Sequence, residues 1–314
     1  MIQLRVTQQF VGLRLDKFLC QKYDLSFAVA QKLLRQKKVK INSAKCDASY
    51  KLKDFDLVEI FSDLNKRSID AAKSPAKVSS EKLQNFWQSK IYEDENLLVI
   101  DKPSGLAVQG GSGIDFFVDT VLSHLNLQQE IGKKFQLVHR LDKDTSGILL
   151  IAKNDECAQL LGAAFREKTI KKTYIALVNK ILNKKQGIID MPIGKKFVGK
   201  NEKVYRDEIN GKQAVTHFTL LQNFNDYALV KLNPITGRTH QLRVHCKEIG
   251  HPIINDVKYG GKEVLRKDLC LNLALHAYRI EIDNFFGSRL DLTTKIPQRF
   301  FTESLRTIIS SKIR

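Results

Sequence analysis

Apolar positions in the first sixty residues recur at helical spacing and then alternate. Leu15, Phe18 and Leu19 fall on one helical face, and Val29, Ala30, Leu33 and Leu34 form a stripe on a second segment. Ser26 stands where the N-cap of that second helix is expected. Val39 to Asn42 alternates as a strand, and so does the stretch from Leu52 to Ile60. Residues 62–80 are polar and aperiodic and read as a linker. The expected organisation is a small domain over 12–62, a linker over 63–88 and a larger domain over 89–306.

The pattern of the larger part mixes both periods. Asn96 to Lys102 reads as a strand ending in a Pro103-Ser104-Gly105 turn, and residues 115–130 as a helix carrying Phe117, Val121, Leu122 and Leu125. Residues 148–152 are continuously apolar, as in a strand buried on both faces. A helix is expected from Glu156 to Glu167, a strand carrying Tyr174 over 171–178, and adjacent strands over 214–221 and 227–232. Thr239 is placed to cap a helix whose face holds Leu242, Cys246 and Ile249 and which Gly250 ends. Arg238 then precedes that helix, aimed at the sheet. A last strand is expected from Leu273 to Ile282, before an amphipathic basic tail over 303–314. The class is α+β.

Charge narrows the partners. Fifty-two Lys+Arg against 34 Asp+Glu give +18, an excess that suits a polyanion, either nucleic acid or an anionic membrane surface. No run approaches the roughly 18 apolar residues of a membrane span, and the first residues lack a signal peptide's apolar core. A cytoplasmic nucleic-acid-binding protein is the simpler expectation. The second helix and its exit concentrate Lys32, Arg35, Lys37, Lys38 and Lys40, which with Arg14 are the candidate phosphate contacts. Five scattered cysteines without a C-x-x-C pair indicate neither a disulfide framework nor a zinc site.

Candidate chemistry gathers at one corner. Between Val138 and Lys153 the chain runs from an apolar approach through His139-Arg140-Leu141-Asp142-Lys143-Asp144-Thr145-Ser146-Gly147 into the buried strand. Ser146-Gly147 is a turn signal, and the Asp144 side chain can hydrogen-bond the backbone of that turn. Arg140 and Asp142, two apart, point to the same side of an extended chain. That pair suits either a held catalytic carboxylate or an ordinary surface ion pair. His240, His245, His251 and His276 match no metal-binding spacing, no G-x-S-x-G elbow is present, and the glycines at 110–113 lack the Lys-Ser/Thr of a P-loop. A carboxylate, arginines, an aromatic hydroxyl and a basic module remain, a set suited to cofactor-free chemistry on a nucleotide.

Two resemblances sharpen this. Arg14-Leu15-Asp16-x-Phe18-Leu19, Ser26, Leu33-Leu34 and Val39-x-Ile41-Asn42 resemble the S4 RNA-binding domain. His139-Arg140-Leu141-Asp142-x-Asp144-Thr145-Ser146-Gly147 is similar to the signature of pseudouridine synthases that modify large-subunit ribosomal RNA and related RNAs. Lys102-Pro103-Ser104-Gly105, Lys172-x-Tyr174, Gly237-Arg238-Thr239-His240-Gln241-Leu242-Arg243-Val244-His245 and Leu275-His276-Ala277 match in order. The chain departs at Asn255, where many members have Gly, and at Asp283-Asn284-Phe285-Phe286, where His-Pro is common. The resemblance implies a mostly antiparallel mixed sheet and isomerisation of uridine to pseudouridine in 23S ribosomal RNA or the pre-ribosomal large subunit, without metal or cofactor. It puts the catalytic aspartate at Asp142, acting at C6 of the base or C1′ of the sugar, and the active-site tyrosine at Tyr174. Arg238 falls on the arginine that pairs with the aspartate, Arg140 on the group that holds the extruded nucleotide, and His139 and Leu242 on the pocket wall. The alternatives are a synthase acting on tRNA and a non-catalytic RNA-binding assembly factor.

Overall fold

Apolar stripes on two short helices close one core and a ten-stranded sheet organises another, so that the chain forms two units, Met1–Lys77 and Val78–Arg314. The computed structural model describes residues 2–23, 25, 27–62, 78–110, 116–127, 133–198, 201–270 and 272–295. The expected cap Ser26, the glycines at 111–113 and the tail over 303–314 lie outside them.

The first unit orders β1 (Ile2–Arg5), α1 (Leu15–Tyr23), α2 (Phe27–Arg35), β2 (Val39–Ile41), β3 (Ala44–Lys45) and β4 (Leu57–Ile60). Its sheet runs β1-β4-β2-β3, with all pairs antiparallel. Leu15, Phe18, Leu19, Leu33 and Leu34 are buried against it. The strand expected over 52–60 is shorter, because Leu52 exchanges main-chain bonds with the Gly12–Leu13 turn. Asp56 then gathers the Asn42 amide, the Tyr50 hydroxyl and the Lys53 N–H at 2.8, 3.0 and 2.8 Å.

The second unit begins with α3 (Ser80–Gln88), where composition suggested linker. The Ser79 hydroxyl caps it, and Phe86 buries among Leu98, Ile100 and Leu149; a short amphipathic helix in a polar context is easily missed. There follow β5 (Lys90–Glu93), β6 (Leu97–Lys102), α4 (Val118–Asn126), β7 (Gln136–Leu137), β8 (Ser146–Ala152), α5 (Asp155–Glu167) and β9 (Lys171–Asn179). Next come β10 (Gln186–Asp190), the hairpin β11 (Ile193–Val198) and β12 (Asn201–Arg206), β13 (Val215–Asn223) and β14 (Tyr227–Pro234). Last are α6 (Gln241–Glu248), α7 (Val257–Gly260), β15 (Leu275–Phe285) and β16 (Ser288–Thr293).

The sheet order is β10-β13-β14-β9-β15-β8-β6-β5, with β16 on β15 and β7 on β8. Among the described strands only β8 and β15 run parallel, at Ser146–Gly147 against His276–Ala277. All seven residues of β8 are buried. Leu149 and Ile151 face the core of Val118, Val121 and Leu122, while Ile148, Leu150 and Ala152 face Cys157 and Leu161. The continuous apolar run is therefore a central strand with cover on both sides.

Candidate active site

The corner before β8 is fixed from three directions. Below it, Lys102 at the end of β6 is fully buried and donates to the carbonyls of Pro103, Leu106 and Lys143 at 2.9, 2.7 and 3.1 Å. Burial drives its pKa down to about 7, yet three acceptors call for the ammonium, the only form with three donors. Gly105 N–H and Ser104 Oγ donate to the carbonyls of Lys143 and Asp144 at 2.9 and 2.7 Å. The turn is closed by Thr145 N–H on the Asp142 carbonyl at 3.2 Å, so main-chain oxygens hold it where the Asp144 carboxylate was expected to. Beyond it, Gly147 has φ +110°, and a Cβ there would lie 2.2 Å from the Ala277 carbonyl oxygen. Only glycine admits β15 this closely.

Asp142 thus projects from a rigid corner into a cleft of about 550 Å³ that Arg140, Tyr174, Arg238, Leu242 and Arg243 also line. Its side chain is 20% exposed. Burial lifts its carboxyl above the ordinary range, although Arg243 and Arg140 pull the other way. The expectation that Arg238 pairs with Asp142 is corrected by the geometry. Arg238 turns its Nε–H to the Gln213 carbonyl at 3.2 Å, and it is Arg243 whose Nη1 stands 3.7 Å from Asp142 Oδ2. Arg243 also forms a two-pronged bond to buried Asp256, Nε to Oδ2 at 2.8 Å and Nη2 to Oδ1 at 2.7 Å. Burial opposes its charge, but the bonds to Asp256 outweigh that and keep it protonated.

The path into α6 explains the exchange of arginines. His240, not Thr239, is the N-cap residue, and its φ of +52° puts it in the left-handed region. Buried Gln241 pins this entry: its amide donates to the Val215 carbonyl and Thr216 hydroxyl at 2.9 and 3.0 Å. Its oxygen accepts from the Thr236 hydroxyl and Arg238 N–H at 2.7 and 3.0 Å. His240 Nε2 lies 3.9 Å from Asp142 Oδ1, and its Nδ1 is 2.6 Å from the Tyr259 hydroxyl. Burial lowers its pKa to about 3, so it faces Asp142 as a neutral ring.

The other expected residues divide. Arg140 is exposed on the cleft. Tyr174 is held between the two main clusters, and burial with the nearby Asp142 charge raises its hydroxyl well above the usual phenol range. Leu242 is buried on the wall. His139 lines the cleft as expected and is also held as a structural peg: Nε2 accepts the Leu150 N–H at 2.8 Å, the ring stacks 4.7 Å from Phe165, and burial keeps it neutral with a pKa of about 3. His276 likewise bonds Ser146 Oγ through Nδ1 at 2.8 Å. Sequence reasoning missed Asp256, Tyr259 and the roles of Lys102 and Arg243; an arginine between Leu242 and Val244 on a short helix was the available signal.

In the first unit Lys32, Arg35, Lys37 and Lys38 are exposed at the end of α2 and beyond it, and Lys40 places Nζ 5.0 Å from the Phe61 ring centroid. Arg14 differs from expectation. Its Nε and Nη2 bond the carboxylate of buried Asp16 at 3.1 and 2.6 Å, and Asp16 also accepts from Gln31. Asp16 thereby ties α1 to α2, and Arg14, whose side chain is 46% exposed, neutralises it from the solvent side.

Comparison with known proteins places these features in a family. Residues 96–248 match the family model described as RNA pseudouridylate synthase, and residues 13–58 match the S4 domain. A ribosomal large subunit pseudouridine synthase C from Rickettsia felis is 39% identical over 302 residues, covering 92% of this chain and 95% of its own. The protein of that name from Vibrio parahaemolyticus is 38% identical, covering 90% and 91%. Among solved structures, human RNA pseudouridylate synthase domain containing 4 superposes with a TM-score of 0.58 at 28% identity, covering 69% of this chain and 92% of its own.

Proposed function

The chain belongs to the RNA pseudouridylate synthase family, and from that premise we propose that it isomerises uridine to pseudouridine in 23S ribosomal RNA with Asp142 as the reacting carboxylate. The observation that carries this is a carboxylate on a braced corner, open to a nucleotide-sized cleft and faced by Arg243 and neutral His240. The target uridine leaves its stack and enters the cleft, and exposed Arg140 offsets part of the few kcal/mol that extrusion costs. Asp142 attacks the nucleotide at C1′ or C6. The N1–C1′ bond breaks, the uracil turns and C5 joins C1′; the bond to Asp142 breaks again, displaced by C5 if it was made at C1′ or eliminated if it was made at C6, which returns the carboxylate, while C5 gives up its proton and N1 gains one. Bonds broken and made balance within one nucleotide, so the scheme needs no metal or organic cofactor.

Tyr174 acts as a neutral phenol in this scheme, stacking on the base and offering its hydroxyl near C5. The basic exit of α2 gives salt-dependent affinity for phosphates. Such a substrate sets the place of action in the cytoplasm, on 23S RNA or the pre-ribosomal large subunit.

Tritium release from 5-tritiated uridine in a 23S transcript tests the assignment. Asp142→Asn should bind the transcript within about twofold of wild type while losing release by at least about 10⁴-fold. Turnover retained in that variant removes Asp142 from the role. Pseudouridine mapping in rRNA and tRNA from cells with and without the gene locates the substrate, and marks lost from tRNA alone overturn the ribosomal assignment.

A further inference from the structure

Asp256 is a fully buried carboxylate that the proposed chemistry does not use. It follows Asn255 after the apolar run Pro252-Ile253-Ile254 and precedes α7. Its two oxygens take Nε and Nη2 of Arg243, so that two of the three guanidinium nitrogens are committed away from the cleft. The third, Nη1, faces Asp142 at 3.7 Å, beyond hydrogen-bond reach. Tyr259, three residues on, reinforces the arrangement. Its ring centroid lies 5.1 Å from the Arg243 guanidinium carbon, and its hydroxyl fixes His240.

We propose that Asp256 is a positioning residue of the isomerisation, holding Arg243 beside Asp142 while preventing it from closing onto that carboxylate. The inference rests on the function proposed above. Two carboxylates compete for one guanidinium fork, and the outcome follows from their burial. Asp256 has no solvent to turn to, whereas the Asp142 side chain is 20% exposed on the cleft. The buried one takes the two-pronged bond. Asp142 keeps a nearby positive charge and lone pairs free for the nucleotide.

Without Asp256 the fork swings to Asp142 and occupies those lone pairs. The charged and titratable groups around Asp142 are Arg243 and His240 from α6 and its cap, Arg140 on its own loop, Lys102 from β6, Tyr174 from β9, Lys258 and Tyr259 from α7 and Asp256 itself. Losing the Asp256 charge while Arg243 moves closer lets Asp142 ionise at lower pH.

Rate–pH profiles of tritium release for wild type, Asp256→Asn and Asp256→Glu test this. Asp256→Asn should lose at least about 10-fold in kcat with KM within about twofold, its acid limb displaced to lower pH. Asp256→Glu retains the charge, so its limb should stay near the wild-type position and its kcat lie between the two. A wild-type kcat and limb in Asp256→Asn overturns the proposal. So does an equal loss in both variants with the limb unmoved, the signature of damaged packing. Should Asp256→Asn fail to fold, Arg243→Gln/Asp256→Asn replaces it. That pair should be no slower than Arg243→Gln alone, and an added loss rejects action through Arg243. A wild-type protein that releases no tritium from rRNA or tRNA transcripts fails the functional assignment itself, which the variants' behaviour cannot mimic.

Discussion

Four residues separate Arg238 from Arg243, and the backbone between them decides which one serves Asp142. Arg238 lines the cleft with its guanidinium on a main-chain carbonyl, so Arg238→Ala should chiefly raise KM. Arg243→Ala removes the cation beside Asp142 and strands buried Asp256, and should lower kcat by about 10²-fold or more. Steady-state kinetics on one transcript distinguishes the two, and the reverse ranking would contradict this geometry. The motif was legible in the sequence, but the choice between its arginines was not. It depends on the left-handed turn at His240, which Gln241 enforces through contacts with Val215 and Thr216 on a remote strand. Periodicity carries no trace of such a turn.

At the scale of elements, β8 and Asn255 show how pattern and context divide the work. The apolar run over 148–152 announced a strand covered on both faces, and β8 is one. Nothing local announced that its first residues pair in parallel with β15, because that contact lies far along the chain. Gly147→Ala should therefore destabilise the protein by more than about 3 kcal/mol, since the new Cβ meets the Ala277 main chain and φ is positive. Urea titration measures it, and a loss below about 1 kcal/mol would show that the two strands part without cost. Asn255, the departure from the family's usual Gly, has φ +63°, a region asparagine tolerates best among the larger residues. Its amide and oxygen then tie Cys270 and Arg266 to the loop. The turn after β15 holds a similar solution: Phe286 and Gly287 take positive φ while Phe285 stays buried. The helix α3 was illegible for the opposite reason, since its apolar side chains gain meaning only from the cluster they join.

For the molecule as a whole, three neutral histidines tie stability to pH. His139, His240 and His276 have pKa values lowered to about 3 by burial, against about 6.5 in the unfolded chain. A lowered folded value means that the unfolded state binds more protons between pH 3 and 6.5. Stability from these groups is complete above about pH 6.5 and is lost as pH falls. Each contributes a loss of about 2 kcal/mol by pH 5. The raised carboxyls Asp101, Asp119 and Asp142 offset part of this. Calorimetry should find a lower melting temperature at pH 5 than at pH 7, and a flatter dependence in His276→Asn; equal slopes would exclude His276 as a contributor.

The parallel contact between β8 and β15 also has a consequence in time. Ser146 and His276 are 130 positions apart, and the ribosome delivers the second long after the first. The strand that completes the centre of the sheet is thus nearly the last one made. Until it arrives, β8 and β9 have no partner between them and the corner bearing Asp142 has no backing. The first unit closes its own core from residues below 61. A nascent chain therefore carries its basic helices well before it carries a finished cleft, and long-range closure of this kind is the slow step in mixed sheets.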